Sequence, residues 1–287
     1  MTEIYTYSIV LPLPQSGNIY LSLIYHKFSC PKGSLIERTK ESPIMKIPSI
    51  LDMLQAGVHF GHKVSRWHPK MKPFIFTQRN QVHIIDLDKT KVQLEKVLPE
   101  IKKLAAEGKK ILFVSTKPQA KDIVKEAAVA CGMPYLVDRW IGGMLTNFAE
   151  IKKLIRKYND LKEQEAKGEL EKYTKKERLD IMRQIEKMDK YLAGLSTLTK
   201  NPDVIFVPAM QREKTAVTEA NRMNIPIIGV CDANANPEKA AYVIPGNDDA
   251  VKSIDMMVGV VRDAIKEGVV EYEKNAPKAE EKKPIKK

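Results

Sequence analysis

The sequence predicts an α/β domain: a parallel sheet covered by helices on both faces, with an inserted helical segment. Two observations carry this. Short, continuous apolar runs alternate with longer amphipathic stretches, the pattern of strands buried on both faces. Between residues 147 and 195 the alternation stops, and only heptad-like spacing remains.

The elements follow in order. Residues 46–57 (KIPSILDMLQAG) read as a short helix, with Ile50, Met53 and Leu54 as its face and Gly57 as its stop. Residues 74–76 and 82–85 are short β-type runs. Residues 88–108 place Val92, Leu94, Val97, Leu98, Ile101 and Leu104 at helical spacing despite Pro99. ILFVS (111–115) is a buried strand, followed by a helix over 118–130 and a short strand at 135–137. DVIFV (203–207), a helix near 212–223 and IPIIGV (225–230) repeat the unit. YVI (242–244) and a final helix over 248–265 close the series. In the interruption, Ile151, Ile155 and Tyr158 form one stripe, and Ile181, Ile185, Met188 and Leu192 another, with Gly168 between them. These predict two antiparallel helices, a hairpin over 147–200 with its own small core, Phe148 near Leu192 and Tyr158 near Ile181. The α/β domain then comprises residues 45–146 and 201–268.

Residues 1–44 lack the later periodicity, and Pro12 and Pro14 break their only apolar run. They are expected to be a flexible extension, or an over-long start whose true initiator is Met45. Residues 269–287 read as a disordered basic tail. No apolar run approaches the roughly 20 residues of a membrane-spanning helix. Lys and Arg number 48 against 36 Asp and Glu, a net charge of +12 that favours a polyanionic partner. Cys30, Cys131 and Cys231 are far apart and form no C-x-x-C, which argues against a zinc ribbon or a disulfide framework.

Catalytic motifs are missing or false. No G-x-G-x-x-G follows a strand. GVHFGHK (57–63) has three residues rather than four between its glycines and a helix upstream, so it is not a phosphate loop. His59, His62 and His68 have neither a cysteine nor a helical H-E-x-x-H beside them, and read as structural or RNA-contacting. Asp232, Asp248 and Asp249 fall near strand ends and could hold Mg²⁺, but Asp248 after Gly246 and Asn247 also suits a helix N-cap, the stronger reading.

What remains is a basic, aromatic stretch, HFGHKVSRWHPKMKPFIFTQRN (59–80). It carries Lys63, Arg66, Lys70, Lys72 and Arg79 with three histidines and no acid. Clustered cations suit phosphates, while aromatic and guanidinium faces suit unpaired bases. Gly61, Pro69 and Pro73 predict an extended, irregular path. Arg66, Lys70 and Lys72 read as phosphate contacts, whereas Phe74 and Phe76 read as core.

Four segments, QAGVHFGHKVSRWHPKMKPFIF (55–76), VHIIDLDKT (82–90), RWIGGMLTN (139–147) and IPGNDDA (244–250), closely resemble the S-two family of bacterial-type small-subunit ribosomal proteins. The resemblance covers residues 46–268 in order. It implies a flavodoxin-like, three-layer α/β/α domain with a protruding helical hairpin, no catalysis and no cofactor. It further implies a cytoplasmic protein, a monomer within the ribosome, on the solvent side of the 30S subunit near the messenger exit. The implied partners are small-subunit ribosomal RNA and other small-subunit ribosomal proteins, not a membrane. Carried over, the RNA-binding set is His59, His62, Lys63, Arg66, Trp67, His68, Lys70, Lys72, Arg79, Asn80, Lys117, Arg139, Trp140 and Asn147. Gly142 and Gly143 suit a tight turn launching the hairpin. The family usually has a second basic residue where Pro118 stands, which leaves Lys117 alone. The competing reading is a doubly wound nucleotide- or metal-binding enzyme using Asp232, Asp248 and Asp249.

Overall fold

The computed structural model describes residues 47–275. Ser49 opens α1 (Ile50–Gln55) with a capping box: its hydroxyl accepts from Asp52 N–H, and the Asp52 carboxylate accepts from Ser49 N–H. Next come β1 (Phe60–Lys63), two short 3-10 turns, β2 (Ile75–Arg79) and β3 (Val82–Ile85). These strands form an antiparallel sheet of order β1-β3-β2, separate from the main sheet. β1 was not anticipated, because Gly61 and two histidines in and beside a four-residue run hide a strand signal. The turn from β2 to β3 holds Asn80 and Gln81 at φ 50° and 60°, the left-handed pair that a two-residue hairpin requires.

The helix expected over 88–108 is α2 (Leu87–Ala106), capped by Asp86, whose carboxylate accepts from Asp88 and Lys89 N–H. Pro99 lies inside this helix, on its exposed side. The remaining elements are β4 (Ile111–Val114), α3 (Lys121–Cys131), β5 (Tyr135–Leu136), α4 (Phe148–Ala166), α5 (Lys175–Leu192), β6 (Val204–Val207), α6 (Lys214–Arg222), β7 (Ile227–Cys231), β8 (Tyr242–Pro245) and α7 (Val251–Asn275). The main sheet is parallel throughout, with order β5-β4-β6-β7-β8.

Two apolar clusters cover its two faces, and the strands alternate between them residue by residue. Ile111, Phe113, Val204, Phe206, Ile228 and Val230 pack with α1, α2, α3 and α7. Leu112, Val114, Ile205, Val207 and Ile227 pack with α4, α6 and the end of α5. Phe113 and Phe206 meet edge to face at 5.2 Å between ring centroids. This is the flavodoxin-like α/β/α arrangement the resemblance implied.

Two boundaries differ from the sequence reading. α7 continues to Asn275 instead of stopping near Ile265, because Val269 packs on the core and Glu271 pairs with Lys102. The expectations for residues 1–44 and for the rest of the tail lie outside the described residues. Within 147–200, Ile151, Ile155, Tyr158 and Leu192 join the cluster that covers the sheet, so the base of this segment shares the main core. Tyr158 donates its hydroxyl to Asp189, about two helical turns along α5 from Ile181, and Lys162 pairs with the same carboxylate at 2.6 Å.

Candidate nucleic-acid interface

The basic stretch is pinned rather than loose. Val64 N–H donates to Gln81 carbonyl, His68 N–H to Ala233 carbonyl at 2.8 Å, and Lys89 Nζ to Pro73 carbonyl at 2.6 Å. Lys63, Arg66, Lys72 and Arg79 are exposed and pair with no carboxylate among the described residues. Lys70 is exposed but ion-paired with Glu238. Trp67 is half-buried, its ring 5.2 Å from that of the buried His83. His68 accepts from Lys70 N–H and so caps the second 3-10 turn. His59 is also half-buried, and burial pushes its pKa down. Arg79 and Asn80 share a recess of about 340 Å³ with Phe60, Val82 and Ile84. Phe74 packs against the core as expected. Phe76 does not: it sits where the register of β2 slips against β3, and is 74% exposed.

His62 and Lys117 face the other way, into acids. At Gly61 a Cβ would stand 2.9 Å from His83 carbonyl and 3.3 Å from Asp232 Oδ1, so only glycine lets β1 approach the end of β7 this closely. That approach brings His62 Nδ1 to 2.9 Å from Asp232 and Nε2 to 3.3 Å from Asp249. The hydrogen bond to Asp232 raises the His62 pKa against the opposing effect of burial. Lys117 Nζ lies 3.1 Å from Asp248 and 2.6 Å from Asp249. Burial works against its charge, but the two carboxylates prevail and its pKa is raised. Burial and the neighbouring Asp232 push Asp248 up to about 6.

The ligating atoms of His62, Asp232, Asp248 and Asp249 lie within 4.8 Å of one another, close enough to surround a divalent ion. The Lys117 ammonium already supplies the cation there, and Asp232 also accepts from Ala233 N–H. The capping role expected for Asp248 is not found. α7 begins at Val251, and Asn247 rather than Asp248 accepts from the Asp249 N–H, at 2.8 Å. The phosphate contact expected of Lys117 meets the same obstacle, since its charge is already matched.

Arg139, Trp140 and Asn147 come from the turn before α4. Gly143 takes φ 83°, confirming the need for glycine there. A buried carboxylate organises the turn: Glu219 of α6 accepts from Trp140 Nε1–H at 3.0 Å, and from the N–H groups of Gly143 at 2.9 Å and Leu145 at 3.1 Å. Burial pushes the Glu219 pKa up, yet these donors outweigh it and hold it below 4.5. Arg139 and Asn147 are left exposed.

Sequence reasoning missed Glu219 and its neighbour Glu213, both buried. Glu213 lies three residues before Ala216 and Glu219 three after it, so both fall at helical spacing on the buried face of α6. Glu213 accepts from Thr116 N–H at 2.6 Å and from its hydroxyl at 2.7 Å. In doubly wound sheets the donors after the first central strand commonly meet a ligand phosphate. Here a carboxylate of the chain itself takes them.

A family model described as ribosomal protein S2 matches residues 53–268. The small ribosomal subunit protein uS2 of Salinibacter ruber is 45% identical over 235 residues, 82% of this chain and 73% of that protein. The uS2 protein of Chlorobaculum tepidum is 48% identical over 216 residues, 75% of this chain and 87% of that one. That of Parabacteroides distasonis is 46% identical over 219 residues, 76% and 79% respectively.

Proposed function

The chain belongs to the ribosomal protein S2 family, and from that premise we propose that it is a structural, non-catalytic constituent of the small ribosomal subunit. In translation it binds ribosomal RNA and neighbouring ribosomal proteins, in the cytoplasm and without a cofactor. The exposed Lys63, Arg66, Lys72 and Arg79, unpaired among the described residues, are the observation that carries the RNA reading. A polyanion gains from such groups by releasing its counterions, while no ion pair among the described residues is lost. Lys70 contributes by exchanging Glu238 for phosphate, an inexpensive trade because exposed ion pairs are worth only about 0–1 kcal/mol. The segment over 147–200 serves as the arm that meets other proteins.

The enzyme reading needs Asp232, Asp248 and Asp249 available to a ligand, and His62 and Lys117 occupy them. The test is the affinity of the purified chain for small-subunit RNA across a salt series. Replacing Arg66, Lys70 and Lys72 with Ala should flatten the slope of log K against log salt by roughly two to three units, at about 0.7–0.9 per phosphate. An unchanged slope moves the RNA face elsewhere.

A further inference from the structure

We infer that a recess over the carboxyl ends of β4 and β6, walled by Arg139, Trp140 and Arg212, holds one unpaired RNA nucleotide with its phosphate on the two guanidinium groups. This rests on the RNA-binding reading above and adds to it a ligand unit and a further binding residue, Arg212.

The recess sits where the chain changes direction across the sheet, since β4 has β5 on one side and β6 on the other. Ligands of doubly wound folds gather at that place. Its volume is about 420 Å³, and Thr116 and Thr215 add hydroxyls to the wall. That is room for a nucleotide-sized ligand and not for a duplex.

The charge in the recess is unbalanced. Asp138 is paired with Lys121 at 2.6 Å, while the buried Glu213 accepts from the N–H and hydroxyl of Thr116, neutral donors at 2.6 and 2.7 Å, which leaves two guanidinium groups against one carboxylate that no cation pairs. Arg139 and Arg212 are exposed and pair with no carboxylate among the described residues. Arg139 and Arg212 thus line the recess with guanidinium donors that no carboxylate among the described residues takes, and such forks suit phosphate oxygens. The wall is also fixed in place. Glu219 holds both the Trp140 indole N–H and the Gly143 backbone N–H, so the half-buried indole is positioned before any ligand arrives. Flat aromatic and guanidinium faces take unpaired bases by stacking. An acidic peptide would satisfy the guanidinium groups but leave the flat wall without a partner.

Two measurements test this. A benzophenone side chain at exposed Thr215, in the full chain assembled into small subunits, should crosslink to RNA. A crosslink to protein, or none in fully assembled particles, overturns the inference. Arg212→Ala in the purified chain should flatten the salt slope for RNA binding by about 0.7, the single-strand value for one phosphate. No change in that slope, while Arg66→Ala and Lys72→Ala still flatten theirs, overturns the recess and leaves RNA binding standing. If the chain neither binds RNA nor enters the subunit, the underlying reading fails instead.

Discussion

His62 presents both ring nitrogens to carboxylates, and only the imidazolium satisfies both. Its folded pKa lies above the ordinary 6.5, so the stabilisation it gives is complete below pH 6.5 and is lost as pH rises through the folded value. Asp248 works in the same direction: with a folded value of about 6 against 3.8, it makes the folded state less stable as pH rises through that window. The difference in melting temperature between the native chain and His62→Gln should be largest at pH 6 and shrink toward pH 9. A difference that stays constant with pH would contradict the imidazolium clamp. Trp67 offers a second test. If its ring stacks on RNA, Trp67→Ala weakens binding by about 1–3 kcal/mol with the salt slope unchanged; a lowered melting temperature with intact binding assigns it to packing against His83. Sequence made the exposed cations legible, because acid-free runs stay at the surface. It did not reveal that His62 and Lys117 turn inward, since their partners lie 170 and 131 residues away.

At the scale of elements, the regular strands of the main sheet and their helices were legible, because burial on both faces leaves an unbroken apolar run. β1 was not, since its edge position and its approach to Asp232 demand Gly61 and His62 instead of apolar residues. The segment over 147–200 shows the limit of stripe spacing, which fixes which faces are apolar but not what they meet. Ile155 belongs to the cluster under the sheet, whereas Ile185 is buried outside both clusters. Ile155→Asp should therefore cost at least about 3 kcal/mol and lower the global melting transition by roughly 6–12 °C. Ile185→Asp should instead speed hydrogen exchange in α5 and leave the sheet amides protected. If both variants spare the global transition, the segment has a core of its own. Glu219→Gln supplies the matching test for the turn before α4. It exchanges a carboxylate oxygen for an amide donor, so exchange should rise at Gly143 or at Leu145 and Thr146, with the amides of β4 and β6 unaffected.

The whole chain carries a net charge of +12, and the buried acids among the described residues are largely matched by internal partners. The surplus is thus outward and available to a polyanion, and attraction of that kind weakens with salt. The family places such a chain in the small ribosomal subunit, and its described residues carry exposed cations that no carboxylate among them pairs. The most direct measurement is sedimentation of the tagged full-length chain from a gently lysed extract over a sucrose gradient, repeated at rising salt. The chain should travel with the small-subunit peak at low salt and leave it progressively as salt rises, with Arg66→Ala/Lys72→Ala leaving at a lower concentration. A chain found in the free soluble fraction at every salt concentration would contradict the account.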